Sequence, residues 1–435
     1  MRDFAVSDDP RVQAQLDRLG ALSLPQGRIG LETIHALLAR LGNPERALPP
    51  VFHIAGTNGK GSTCAYLRAM LEAAGLRVHA ATKPHLVRYN ERIRLAGKLI
   101  ADDLLADLLR EVLDAGEELA PSFFEVTAAA TFLAFQRIPA DVCVIEVGLG
   151  GRFDATNVLD AQAACGIASL GIDHEAFLLV PESGVPGDPL CRIAFEKAGI
   201  ARPGVPLVTQ AYRPDVTKTV IDHAMQVGAK TAIRGLDWDA EIDLGIAYRD
   251  RFGILDLPLP DLAGSHQADN AALAVAMLRH QSHFTVSTES MAKGIRTARW
   301  PARLQPLGKG PLTDLVPGRQ VWLDGGHNPD AGLAIARYFE GASPLHLITG
   351  MLSSKDPAAI VAPLRGMLLS LSVVPAPGHD AHRPTDIAAH ADIPVRPFAD
   401  VPSALQALPQ GGDVLIAGSL YLAGEVLRLN QELPD

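Results

Sequence analysis

Residues 51–63 constrain the fold of this chain more than any other segment, because an apolar run gives way there to glycines, a lysine and hydroxyl side chains. Residues 51–55 are typical of a buried strand, and residues 62–74 are typical of a helix. Gly56, Gly59 and Gly61 allow the backbone N–H groups to turn inward, while Lys60 and the helix N-terminus add positive charge. The segment therefore predicts a phosphate-binding loop between a strand and a helix.

The spacing of this loop differs from the standard G-x-x-x-x-G-K-[ST] pattern. Ile54 stands where that pattern has its first glycine, and Gly61 separates Lys60 from Ser62. The alternative is a glycine-rich turn that binds nothing, but such a turn needs neither a lysine nor hydroxyls. We therefore expect the phosphates of ATP to be bound by a loop made of Thr57, Asn58, Gly59, Lys60, Gly61 and Ser62.

The composition limits the classes of partner. A chain of 435 residues with 48% hydrophobic composition can bury more than one core, and we expect two domains. Its formal net charge of −10 argues against a nucleic-acid or anionic-membrane surface, since both need concentrated positive charge. No signal peptide or apolar run of membrane-spanning length is recognisable, and the four cysteines form no C-x-x-C pair. We therefore expect a cytoplasmic protein with reduced, buried cysteines and with small-molecule ligands.

Helical and strand patterns alternate along most of the chain. Helices are predicted within 10–42, over 102–119 and up to residue 135, and an alternating αβ pattern is predicted over 205–259. Proline and arginines interrupt a helix at 297–303, after which a smaller α/β pattern restarts with strands at 321–323, 345–349 and 414–417. The predicted fold class is α/β, with a P-loop, doubly wound, mainly parallel sheet domain over 1–297 and a smaller Rossmann-like α/β domain over 298–435.

Candidate ligands follow other predicted strands. Glu146 ends an apolar strand, and a carboxylate at that end of a doubly wound sheet can hold Mg²⁺ opposite a phosphate loop. His174 follows the next strand, although a lone histidine is more often structural. Lys197 is either a cation at a helix C-terminus or part of the site, and Asn270 is either a cap or a contact to adenine. Together these residues indicate an ATP-dependent enzyme that uses Mg²⁺.

Six motifs follow one another along nearly the whole chain. They are Gly-Thr-Asn-Gly-Lys-Gly-Ser at 56–62, Glu-Val-Gly-Leu-Gly-Gly-Arg-Phe-Asp-Ala-Thr-Asn at 146–157, Asp-His at 173–174, Glu-Lys-Ala-Gly-Ile at 196–200, Leu-Asp-Gly-Gly-His-Asn-Pro at 323–329 and Gly-Ser-Leu-Tyr-Leu at 418–422. In this order they closely resemble the folylpolyglutamate synthase and dihydrofolate synthase branch of the Mur ligase superfamily.

The resemblance implies an ATP- and Mg²⁺-dependent ligase of folate biosynthesis and one-carbon metabolism. A carboxylate of dihydropteroate, or the γ-carboxylate of a folate such as tetrahydrofolate, would take the γ-phosphoryl group of ATP and become an acyl phosphate. The amine of L-glutamate would then attack, and phosphate would leave. Closure of the second domain about residues 297–303 would exclude water, which otherwise hydrolyses the intermediate. A monomer is the expectation for this family.

The resemblance also implies roles for individual residues. Ser62 and Glu146 resemble ligands near Mg²⁺, His174 resembles a ligand of a second Mg²⁺, and Lys197 resembles a lysine that is often carbamylated in the family. Lys60, His174 and Lys197 are thus the expected catalytic residues. Contacts to ATP are implied for Asn270, Arg303, Asp324 and His327. Contacts to the pterin are implied for Phe124, Asp154 and Ala155, and contacts to glutamate are implied for Arg92, His327 and Ser419.

Two features depart from the family pattern. Lys83 stands where the family usually has a serine that helps to bind a metal, and an ammonium group cannot ligate Mg²⁺. The segment 178–190 is longer than the usual connection between the Asp-His and Glu-Lys-Ala-Gly motifs. Lys83 bears on whether a second metal ion has its full set of ligands. The long segment bears on how substrates reach the site.

Two alternatives remain at this point. A cell-wall Mur ligase usually carries a further N-terminal domain for a uridine diphosphate group, and about 50 residues before the phosphate loop are too few for one. A nucleotide-gated binding protein of the same fold, without turnover, is the alternative that Lys83 favours.

Overall fold

The computed structural model describes residues 6–22, 30–160 and 162–434. The chain forms two compact units, of which the first comprises the chain up to Asp261 together with Gln267–Ala298. The second comprises Leu262–His266 and the chain from Arg299 onward. The domain limits of 1–297 and 298–435, and the roles assigned to the two domains, stay predictions. The grouping of Leu262–His266 with the C-terminal unit was not predicted.

The first unit is built on a mainly parallel eight-stranded sheet with the order β4-β3-β2-β5-β1-β6-β7-β8. Only β3 and β4 run antiparallel to their neighbours. The strands are β1 Val51–Ala55, β2 Val78–Ala81, β3 Ile93–Leu95, β4 Lys98–Leu99, β5 Val142–Glu146, β6 Gln162–Ile167, β7 Pro206–Thr209 and β8 Lys230–Ile233. Because the neighbouring strands β2, β5, β1 and β6 are parallel, their carboxyl ends meet at one edge of the sheet.

The helices of this unit connect the strands. They are α1 Pro10–Ala21, α2 Glu32–Arg40, α3 Lys60–Ala73, α4 Asp102–Gly116, α5 Phe123–Arg137, α6 Glu175–Leu178, α7 Pro189–Ala198, α8 Pro214–Val227, α9 His266–His280 and α10 Thr288–Thr297. In the sheet, β2 lies on one side of β1, whereas β6, β7 and β8 follow one another on the other side of β1. Since parallel crossovers are right-handed, α3 and the pair α7 and α8 cover opposite faces, which is the predicted doubly wound arrangement. Part of the helical region predicted at 10–42, residues 23–29, lies outside the described residues.

A small antiparallel sheet contradicts part of the sequence prediction. The alternating αβ pattern predicted over 205–259 is correct for β7, α8 and β8, but it is wrong for residues 238–257. There the strands β9 Trp238–Ile242, β10 Ile246–Asp250 and β11 Gly253–Leu257 form a sheet with the order β11-β10-β9. Gly253 pairs with Asp250 across a two-residue hairpin. Burial alternates along β10, so its period of two was the signal for this sheet.

The second unit carries a six-stranded sheet with the order β12-β13-β17-β14-β15-β16. Its strands are β12 Gln305–Pro306, β13 Val321–Asp324, β14 Leu345–Thr349, β15 Leu368–Val373, β16 Val395–Pro397 and β17 Asp413–Ala417. Its helices are α11 Pro329–Phe339, α12 Ala358–Val361, α13 Pro384–Ala388, α14 Val401–Gln406 and α15 Leu420–Leu429. The predicted strands at 321–323, 345–349 and 414–417 are confirmed, and all pairs but that of β12 are parallel, as the Rossmann-like prediction requires.

Two predictions from composition agree with the structure. All four cysteines are unpaired and buried. Within the described parts of the chain, no helix has both the length and the apolar character needed to cross a membrane.

Candidate active site

The predicted phosphate loop lies at the carboxyl end of β1, near the centre of the large sheet. Thr57, Asn58 and Gly59 follow the strand, and Lys60, Gly61 and Ser62 already form the first turn of α3, two residues earlier than predicted. Gly59 caps the helix with φ at 84°, a left-handed conformation that favours glycine. The hydroxyl of Thr57 donates to the carbonyl of Gly171 at 2.9 Å, which ties the loop to the chain after β6.

Asn270 lies beside this loop. It is buried on α9, and a Cβ atom placed at Gly59 would collide with its side-chain oxygen. Gly59 is therefore required by its close approach to Asn270 as well as by its φ angle. The structure thus brings the asparagine predicted to contact the nucleotide next to the residues predicted to bind phosphate.

The carbonyl oxygen of Gly56 accepts hydrogen bonds from two lysines. Lys60 Nζ donates to it at 3.0 Å, and Lys197 Nζ donates to it at 2.9 Å. Lys60 Nζ also donates to the carbonyl of Thr57 at 3.1 Å. Lys197 lies in the last turn of α7, where a helix C-terminal cation is expected, but its side chain is buried. Burial, together with the neighbouring Lys60 ammonium, lowers the pKa of Lys197 to about 7.

The expected metal ligands come from neighbouring elements of the first unit. Glu146 is buried at the end of β5, where its register partner on β1 is Ile54. Ser62 is buried on α3, and His174 follows β6 with φ at 55° and with Nε2 3.9 Å from Asp173 Oδ2. Carboxylate, hydroxyl and imidazole groups suit a divalent ion. The ammonium form of Lys197 does not, whereas a carbamate of the same residue would offer oxygen atoms.

Asp154 organises the turn that follows β5. One carboxylate oxygen accepts from the backbone N–H groups of Gly148 and Leu149, each at 2.9 Å, and the other accepts from the N–H and hydroxyl of Thr156. The Thr156 hydroxyl is also 2.9 Å from Nε2 of His53 on β1. Asp154 and its neighbour Ala155 are both buried, so the residues predicted to contact the pterin belong to a rigid part of the fold.

Arg92 and Phe124 share an aromatic cluster. The guanidinium carbon of Arg92 lies 5.3 Å from the ring centroids of Tyr89 and of Phe123. The rings of Phe123 and Phe124 meet edge to face, with centroids 5.6 Å apart. Arg92 Nε donates to His85 Nδ1 at 2.8 Å. The structure thus connects Arg92, predicted to contact glutamate, with Phe124, predicted to contact the pterin, through Phe123.

The remaining predicted residues belong to the second unit. Asp324 ends β13, and its carboxylate accepts from the N–H groups of Leu304 at 2.8 Å and Gly326 at 2.6 Å. His327 Nδ1 is 3.1 Å from the carbonyl of Gly325, beside which Arg303 also lies. Ser419 caps α15 after β17, the strand that pairs with β13. Within this unit, the predicted residues therefore gather at the carboxyl ends of adjacent parallel strands.

An ion-pair network that was not predicted surrounds the long segment 178–190. Glu182 pairs with Arg152 at 2.6 Å and with Arg192 at 2.9 Å, and both arginines also pair with Glu196. All four side chains are less than one-fifth exposed. Glu196 immediately precedes Lys197, and its carbonyl accepts from the N–H of Arg152 at 2.7 Å. The spacing of Arg192 and Glu196, four residues apart on α7, was the only local signal.

Comparison with known proteins shows what the chain as a whole is similar to. No family model matches the chain. The dihydrofolate synthase/folylpolyglutamate synthase of Escherichia coli is 36% identical over 349 residues, covering 78% of this chain and 76% of that protein. The folylpolyglutamate synthase of Lacticaseibacillus casei is 31% identical over 424 residues, covering 90% and 92%.

Solved structures agree with these relatives. Escherichia coli FolC in complex with ADP superposes with a TM-score of 0.83 at 31% identity, with 96% of each chain covered. A bifunctional folylpolyglutamate synthase/dihydrofolate synthase with Mn, AMPPNP and L-glutamate bound has a TM-score of 0.82 at 30% identity, with 96% and 97% covered.

The P-loop fold and the site with its buried carboxylate and lysines define an ATP-dependent acid–amino-acid ligase that uses a divalent metal ion. The relatives make the family specific. This chain belongs to the dihydrofolate synthase/folylpolyglutamate synthase family.

The Glu182 network leads to a stability prediction. Glu182→Gln removes the charge that holds segment 178–190 to Arg152 and Arg192, and we expect the free energy of unfolding to fall by about 1–3 kcal/mol. The matched control is Lys218→Gln, which removes an exposed pair with Asp222 and should cost less than about 0.5 kcal/mol. Urea denaturation of both variants measures the difference. Equal costs for the two variants would contradict a structural role for the network.

Proposed function

We propose that this chain joins L-glutamate to dihydropteroate, to the γ-carboxylate of a folate, or to both, through an acyl phosphate. The observation that carries the proposal is the convergence of Lys60 and Lys197 on the Gly56 carbonyl, at the same sheet edge as Glu146. The Lys60 ammonium and the backbone N–H groups of the loop support the binding of a terminal phosphate at this edge. The printed names of the relatives, which include both synthase activities, support the choice of substrates.

Each side chain has a task in this reaction. An oxygen of the acceptor carboxylate attacks the γ-phosphorus, the bond to ADP breaks, and Lys60 with the loop N–H groups stabilises the charge on the transferring group. The glutamate amine then attacks the acyl carbon, loses a proton and displaces phosphate. Mg²⁺, when bound, supplies further positive charge to the phosphates. Ser62, Glu146 and His174 would hold it, together with Lys197 once that residue is carbamylated.

The remaining predicted residues have proposed roles in binding the nucleotide, the pterin and glutamate. We propose that Asn270 contacts the nucleotide beside the loop, and that Arg303, Asp324 and His327 are further contacts to the nucleotide. Phe124, Asp154 and Ala155 would bind the pterin, whereas Arg92, His327 and Ser419 would bind glutamate. A monomeric, cytoplasmic protein without a nucleic-acid partner stays a prediction.

Carbamylation of Lys197 is the first prediction from this proposal. The neutral amine is the form that adds CO₂, so the carbamate should accumulate as the pH rises through about 7, provided dissolved CO₂ is held constant. The measurement is carbon-13 NMR of the protein in labelled bicarbonate. Lys197→Arg is the matched control and should lack the carbamate signal. Equal signals in both proteins, or none in the wild type, would contradict the prediction.

A second candidate function is nucleotide-dependent binding without turnover. The observation that favours it is Lys83, whose buried ammonium stands beside Asp154 in the centre of the predicted site. Phosphate release that depends on glutamate, measured with dihydropteroate and with tetrahydrofolate, separates the two functions. Nucleotide binding without turnover of either acceptor would favour the binding protein.

Lys60→Ala tests whether the phosphate loop takes part in the reaction. We expect turnover to fall by about 10³-fold or more, because the variant loses the charge that faces the transferring phosphoryl group. The free energy of unfolding should change little, since Lys60 bonds only to carbonyls of its own loop in the described structure. Retained turnover in a folded variant would remove the loop from the mechanism.

A further inference from the structure

Lys83 lies at the carboxyl end of β2, next to the strand that ends in Glu146. Its backbone N–H donates to Glu146 Oε2 at 2.9 Å. Its side chain is 9% exposed and runs along Gly148, where an added Cβ would come within 3.3 Å of Lys83 Cδ. The residue is therefore fixed between the carboxylate expected to hold the metal and the turn built around Asp154.

The carboxylate of Asp154 lies close to the Lys83 ammonium. Nζ lies 4.0 Å from Asp154 Oδ1 and, among the described residues, donates no hydrogen bond. Burial alone would raise the pKa of Asp154, but the Lys83 ammonium and the hydrogen bonds from Thr156 and Leu149 hold this pKa below its ordinary value. Asp154 is consequently an anion. Its carboxylate accepts four hydrogen bonds and has a cation beside it.

A divalent ion does not fit beside this ammonium. The Nζ atom of a protonated lysine offers no lone pair to a metal, and it repels a second cation strongly in a buried, weakly screened place. The side chain at position 83 offers a divalent ion no oxygen atom.

We propose that the Lys83 side chain, rather than a second divalent ion, occupies this end of the active site. The chain therefore binds a single divalent ion with each nucleotide, and Lys83 excludes a second ion from the space between Glu146 and Asp154. The inference rests on the proposed function, because it concerns ions bound together with the nucleotide. In this proposal Lys83 is a positioning residue, because it holds a positive charge at this place in the site. A sequence pattern for metal ligands does not predict such a role.

Counting bound Mn²⁺ by electron paramagnetic resonance tests this inference without turnover. The full-length chain is titrated with Mn²⁺ in the presence of saturating AMPPNP. We expect one tightly bound Mn²⁺ per wild-type chain and two per Lys83→Ser chain, since serine removes the ammonium and supplies an oxygen. Two ions in the wild type, or one in a folded Lys83→Ser variant, would overturn the proposal.

Two controls make the count specific. Lys218→Ser removes an exposed lysine that is paired with Asp222, and it should keep the wild-type count. Lys83→Arg keeps a positive charge and adds no oxygen, so it should also keep a count of one; a second ion in a folded Lys83→Arg variant would overturn the proposal. No Mn²⁺ in the wild type with AMPPNP would overturn this inference and the proposed function together, whereas a wild-type count of two overturns the inference alone.

Discussion

The arrangement of the first unit depends on the carbonyl oxygen of Gly56. Lys60 reaches this oxygen from the start of α3 and Lys197 reaches it from the end of α7, so one backbone atom joins two helices that belong to different crossovers of the sheet. Burial of Lys197, together with the nearby Lys60 ammonium, explains why the pKa of Lys197 falls to about 7. A lysine that would be an ordinary helix-end cation on the surface thereby becomes a group that can be neutral near physiological pH.

The turn after β5 and helix α7 are held to each other by close backbone contacts and by charge. A Cβ at Gly151 would lie 2.7 Å from the carbonyl oxygen of Glu196, so glycine is needed there for proximity rather than for an unusual φ angle. Glu182 then reaches across from segment 178–190 to the arginines that pair with Glu196. Segment 178–190 therefore stabilises the position of Lys197, although only its length stood out in the sequence.

Much of this could be predicted from the sequence, because the strongest signals are local. The phosphate loop, Glu146 at a strand end and the second α/β unit each follow from a run of apolar residues and the turn that ends it. The burial of Lys197 and the partners of Lys83 could not be predicted, since they depend on residues more than fifty positions away, such as Gly56 and Asp154. The antiparallel sheet at 238–257 was missed because short alternating strands are hard to separate from the surrounding αβ pattern.

An acyl-phosphate reaction requires that the acceptor carboxylate itself receives the phosphoryl group of ATP. The most direct measurement supplies dihydropteroate with both carboxylate oxygens labelled with oxygen-18, together with ATP and L-glutamate, and analyses the released phosphate by mass spectrometry. An acyl phosphate requires one labelled oxygen in each phosphate, because the carbon–oxygen bond breaks when the amine attacks. Phosphate without label, formed at the same rate as the amide product, would contradict the account.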